Sequence, residues 1–277
     1  MSEATMTTEE LAKAKSMAPK AAAAAAGRAS FTDNVLTIAK REFGSFLNSP
    51  AAYILVSVSL VLLGVYFFLY KGGIWQVDQA SMARLLGAMP VALCVGIPLF
   101  TMRSLAEEKR MGTLEMLITM PVKDSEVILG KYLAALGMVC LQLALLIVYP
   151  LVMFGVFKLG VFDWGAFWAG MFGLFLLSAA GVAIGLLASS TTESQMLAFF
   201  ATAASLTSLY FVGETVEMWR NKKLAWLGDT IAYLSFETQF EPFARGVIDS
   251  RAVIYFLSIA VICVLVAFRN LESRKWS

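Results

Sequence analysis

The chain has 277 residues, 59% of them hydrophobic and only 15% charged, whereas an ordinary soluble domain carries roughly 45–50% apolar and about 25% charged residues. Its net charge of +2 comes from 22 basic and 20 acidic residues, too even a balance for a nucleic-acid-binding stripe. The absence of histidine removes Ser-His-Asp and Cys-His catalysis and every His-ligated metal site. Cys94, Cys140 and Cys263 stand far apart inside apolar runs and read as small hydrophobes rather than a disulfide framework or zinc cluster, so no catalytic, metal or cofactor-binding residue is assigned.

Residues 1–30 are rich in Ala, Lys, Glu and Thr. The run Ala21 to Ala26 is too short and too weakly apolar for the core of a signal peptide, and the segment reads as a disordered cytosolic leader. From 31 to 48 the pattern changes. Val35, Leu36, Ile38, Ala39, Phe43, Phe46 and Leu47 fall near helical spacing, opposite Asp33, Thr37, Lys40, Arg41, Gly44 and Asn48. This predicts an amphipathic elbow helix at the membrane surface, with Lys40 and Arg41 toward headgroups, Phe43 and Phe46 on the apolar side, and Ser49-Pro50 as its break.

A helix needs about 20 largely apolar residues to cross the roughly 30 Å hydrocarbon layer. Six runs lack Asp, Glu, Lys and Arg altogether: 51–70, 85–102, 132–157, 164–192, 194–213 and 252–268. Separate runs of this length satisfy their own backbone hydrogen bonds only as helices. The expected fold class is therefore all-α and polytopic. Pro90, Pro98 and Pro150 are expected kink sites. In the fourth run Gly181, Gly185 and Ser189 recur every four residues and form a helix-packing stripe, within the bundle or between subunits.

The second-to-third connection, Arg103 to Pro121, reads as a charged helical extension followed by a short helix. Gly112 offers a bend, Thr113 a cap, Pro121 a stop, and Met111, Leu114, Leu117 and Ile118 a narrow apolar face. Two readings fit it: a helix that docks into a partner's groove, and a solvated loop folded back on its own bundle. Residues 214–251 form a connection too long for a passive turn. Its aromatics, Trp219, Trp226, Tyr233, Phe236, Phe240 and Phe243, suggest interfacial or re-entrant helices. They would serve as an outer gate, as a contact for a periplasmic accessory protein, or as a surface cover.

Lys and Arg favour cytoplasmic loops. The N-terminal segment holds six, the second-to-third loop five and the tail three, so both termini are expected in the cytoplasm. An ATP-binding loop is not expected. Walker A needs a glycine five positions before Gly-Lys and a Ser or Thr after it, but Gly130-Lys131 has Ser125 and Tyr132 in those places.

Thr101-Met102-Arg103-Ser104-Leu105-Ala106-Glu107-Glu108-Lys109-Arg110-Met111-Gly112-Thr113-Leu114-Glu115-Met116-Leu117, with Pro121-Val122 and Leu129-Gly130-Lys131, resembles the signature of type-2 ABC exporter permeases. Within them it is most similar to the gliding-motility-associated group, as are Lys40-Arg41-Glu42-Phe43, Ser49-Pro50, Ala52-Tyr53, Phe243 to Arg251, Val253 to Ser258 and Arg274-Lys275-Trp276. The resemblance covers residues 31–277. It implies a transmembrane permease domain over that range, with an N-terminal elbow helix, six transmembrane helices and a cytosolic coupling helix between the second and third spans. Carried over by position, the coupling residues are Glu107, Glu108, Lys109, Arg110, Gly112, Thr113, Leu114 and Glu115.

The implied function is export of an unidentified substrate across the bacterial inner membrane, driven by a separate ATP-binding subunit that holds the ATP and magnesium, with a second permease subunit completing a dimer. The alternative is a non-transporting anchor that links an ATPase to envelope or motility machinery. An intramembrane enzyme would need an acid, base or metal ligand within the spans, and the charge-free runs supply none.

Overall fold

The computed structural model of the chain describes residues 30–69, 83–112, 123–156, 163–219 and 232–273. The leader up to residue 29, the expected coupling residues Thr113, Leu114 and Glu115, residues 220–231 of the long connection and the terminal Arg274-Lys275-Trp276 lie outside the described residues. The described elements, in order, are α1 (Phe31–Leu47), α2 (Pro50–Leu69), α3 (Ala83–Thr101), α4 (Ala106–Arg110), α5 (Asp124–Leu145), α6 (Val148–Leu151), a π-helical turn (Val152–Val156), α7 (Trp164–Thr191), α8 (Gln195–Trp219), α9 (Phe236–Ala244) and α10 (Ser250–Ser273). Among the described residues the fold is all-helical, and six helical stretches are long and apolar enough to cross a membrane.

Several of these helices run past their charge-free stretches, α8 for instance to Trp219 through Glu214 and Glu217. The third span begins at Asp124 rather than Tyr132, because Glu126 and Lys131 are buried against neighbouring helices instead of ending the helix. The sixth continues to Ser273 through Arg269 and Glu272, which pair along its exposed side. Pro150 interrupts the third span. It has no N–H to return to Leu146, and the helix breaks at Leu146-Ile147, restarts as α6 and ends in the π-turn. Pro90 and Pro98, by contrast, lie inside an unbroken α3.

The bundle is built around α7, which touches α3, α5, α8, α9 and α10; 72% of its most apolar window is buried, against 22% for α2 and α10. Its small residues allow that central position. A side chain at Gly181 would run into Ile97, and one at Gly185 into Thr101, so α3 crosses α7 at close range. On the outer helices Tyr53, Val61 and Val65 of α2 and Ile254, Val261 and Ile262 of α10 point away from the protein, as residues facing lipid do. The described part of the long connection contains α9, which packs on α7. Phe236, Phe240 and Phe243 are buried there, and Phe243 lies over Gly173. Gly246, at φ +89°, turns the chain out of α9 toward α10.

The helix α1 starts at Ser30, whose backbone N–H donates to the Asp33 carboxylate at 3.3 Å. It lies along α5. Gly130 and Gly137, two turns apart on α5, receive it: a Cβ at Gly130 would stand 2.6 Å from Ile38 Cγ2, and one at Gly137 3.3 Å from the Phe43 ring. Phe46 meets Phe100 of α3 edge to face at 6.3 Å. Phe43 and Phe46 are thus packed on protein, while Lys40 and Arg41 are exposed.

Candidate functional site

The start of α5 and the ends of α3, α7 and α10 meet at one face of the bundle, the near face, and α1 and α4 close over them. The charged centre is Lys131, on the second turn of α5 and only 3% exposed. Its ammonium lies 2.8 Å from Glu108 Oε1 of α4 and 3.4 Å from Glu42 Oε1 of α1. Glu42 also receives Arg41 at 3.0 Å. One buried cation therefore joins three segments that are distant in sequence.

Each arm of this cluster has a second attachment. The carboxylate of Glu126, one turn before Lys131 and buried, accepts from Asn34 Nδ2 of α1 at 3.0 Å and from the backbone N–H of Lys123 at 3.1 Å. It fixes α1 to α5 and caps α5 at the same time. On the other side of α4, the backbone N–H groups of Leu105 and Ala106 donate to Ser189 Oγ at 3.1 and 3.0 Å. Lys109 Nζ donates to the Ser190 carbonyl, and Asn270 Nδ2 of α10 donates to Ser190 Oγ at 3.3 Å. Ser189, the last member of the small-residue stripe, thus supplies the acceptor that the first N–H groups of a helix otherwise lack. Beneath these polar groups Leu105, Ile128, Leu186 and Leu271 form an apolar cluster of their own.

This geometry divides the expected coupling residues. Glu108 and Lys109 turn inward, to Lys131 and to Ser190. Glu107 is half-buried, Arg110 and Gly112 are exposed, and Met111 is 58% exposed. Gly112, at φ +68°, ends α4 in a left-handed conformation that a glycine adopts without steric cost. Sequence reasoning met Glu42 and Lys131 only within the quoted motifs and gave no role to them or to Asn34, Glu126, Ser190 or Asn270. The available signal was the pair of glycines at 130 and 137, which marks one side of α5 as a contact for another helix.

A second feature is a groove of about 1110 Å³ between α2, α3 and α8, lined by Ile54, Val58, Val91, Tyr210 and other mostly apolar residues, with Ser59 in its wall and Glu237 of α9 beside it. Gln142, fully buried, donates from Nε2 to Ser59 Oγ at 2.9 Å. The hydroxyls of Thr202, Ser205 and Ser208 on α8 donate to carbonyls of their own helix at 2.7–2.9 Å.

Residues 76–269 match the family model described as ABC-2 family transporter protein. The chain belongs to the ABC-2 transporter family. A search of curated proteins gives no match. The matched stretch of this ABC-2 chain runs from before α3 into the last turns of α10, so it contains Glu108, Lys131 and Ser189 but not α1 or Glu42. As a family member the chain is a multi-pass membrane permease rather than a catalyst in itself, and permeases of this family work with an ATP-binding subunit.

Proposed function

We propose that this chain is the membrane subunit of an ATP-driven exporter, that its near face is cytoplasmic, and that segment 101–131 couples it to a separate ATP-binding subunit. The observation that carries this reading is the convergence of four helices, α1, α5, α7 and α10, on α4. A force applied at Glu107, Arg110 and Met111 reaches α1 and α5 through Lys131, and α7 and α10 through Ser189 and Ser190. A solvated loop would not need a buried ion pair and two seryl anchors to hold its first turn. The basic residues of the N-terminal segment, second loop and tail support the cytoplasmic orientation. The groove between α2, α3 and α8 is the place we assign to a substrate path, which a second permease subunit would complete. The similarity to the gliding-motility-associated group favours an envelope-linked process.

The test is ATP turnover by the complex purified through a tag on this chain. Turnover should follow a co-purifying polypeptide that takes up a photoreactive ATP analogue, and Glu107→Lys together with Arg110→Glu should abolish that association while membrane insertion is retained. Normal association and turnover in that variant would contradict the reading.

A further inference from the structure

Lys131 is a costly choice for its position. Taking an ammonium fully and two carboxylates partly out of water is a penalty that apolar side chains of the same volume avoid, and apolar replacements of such clusters are often as stable or more so. What a buried cation supplies, and a leucine does not, is a fixed register between the groups that face it. Here those groups belong to two short elements, Glu42 on α1 and Glu108 on α4, and both stand on one atom of α5. The remaining attachments point the same way: Asn34 to Glu126 adds a second pin between α1 and α5, so rotation of α1 about Lys131 alone is resisted.

We infer that Lys131 is a positioning residue of the coupling site, and that by holding Glu42 and Glu108 together it makes α1, α4 and the start of α5 move as one body when the ATP-binding subunit changes state. This rests on the coupling reading above and adds its internal linkage. On the other flank α4 is held to α7 by hydrogen bonds to Ser189 and Ser190.

The experiment uses the full complex with its ATP-binding subunit. Spin labels at positions 40 and 103, exposed on α1 and in the turn that leads into α4 and outside the residues assigned to docking, report the separation of α1 and the start of α4 with and without ATP, and turnover is measured on the same preparation. Lys131→Met alone removes the ammonium that the Glu42 and Glu108 carboxylates share and can fail to fold, so the decisive variant is Glu42→Gln/Glu108→Gln/Lys131→Met, which removes all three charges and keeps the side-chain volumes.

In the wild-type complex the 40–103 distance should be the same in both nucleotide states. In the triple variant it should change with ATP, and permease-dependent turnover should fall about tenfold, with the ATP-binding subunit still bound. A triple variant that keeps both the constant distance and normal turnover would overturn the inference and leave Lys131 a packing residue. So would a wild-type distance that changes with ATP, or a triple variant that no longer binds the ATP-binding subunit, which would make these side chains part of the docking surface. Failure of the wild-type chain to associate with any ATP-binding subunit refutes the coupling reading itself.

Discussion

The hydrogen bond between Asn34 and Glu126 gives a direct measure of how firmly α1 is tied to the bundle. Glu126 is 4% exposed, and its Oε2 accepts from Asn34 and from the Lys123 backbone N–H. Asn34→Ala leaves the buried carboxylate with one of these two donors, whereas Glu126→Ala removes the charge together with its demand for donors. Hydrogen bonds to charged groups contribute about 1.5–3 kcal/mol, and stranding the buried member costs more than stranding the accessible one. Asn34→Ala should therefore destabilise by about 2 kcal/mol, and a double-mutant cycle of Asn34→Ala and Glu126→Ala should return a coupling energy of about 1.5–3 kcal/mol. The assay is denaturant unfolding of the purified chain in detergent, followed by the fluorescence of an exposed label on α1. A coupling energy under about 0.5 kcal/mol, the scatter expected of independent sites, would show that α1 does not lie against α5 through this contact.

Other outcomes follow from the packing and the proposed orientation. Gly185→Val should destabilise by about 1–3 kcal/mol by driving a branched side chain into Thr101 at the α3–α7 crossing, measured by unfolding in detergent. Gly44→Ala should stabilise by roughly 0.5–1 kcal/mol, because α1 is open at that point and alanine restricts the unfolded chain. In a background without the native cysteines, Arg110→Cys should react with an impermeant thiol reagent only from the cytosol and Arg245→Cys only from outside. Reaction of both from one side would contradict the six-span topology. The purified chain alone should show no ATP turnover; activity that follows the pure chain would contradict the need for a separate ATP-binding subunit.

The bilayer-crossing part of the fold was legible in the sequence because hydrocarbon imposes a simple rule: long stretches without charge become helices. The same rule hid the near face. A search for charge-free runs stops at Lys131 and starts α5 eight residues late, since it cannot distinguish a lysine at the membrane surface from one buried against Glu42 and Glu108. Helical periodicity identified α1 and its exposed Lys40 and Arg41, but an apolar stripe fits lipid and protein equally well. Only the three-dimensional match of Ile38 and Phe43 to Gly130 and Gly137 sends that stripe to α5. The recurrence of Gly181, Gly185 and Ser189 pointed to a close helix contact. That Ser189 would also accept the first N–H groups of α4 depends on the turn at 102–105 and leaves no periodic trace.

Site-specific photo-cross-linking in intact cells tests the central claim most directly. A photoreactive amino acid placed at Arg110, exposed at the end of α4, should cross-link to a polypeptide that binds ATP, and the same group at Arg245, exposed beyond α9, should not. A chain that cross-links to that polypeptide from position 245 and not from position 110, or from neither, would contradict coupling through the near face.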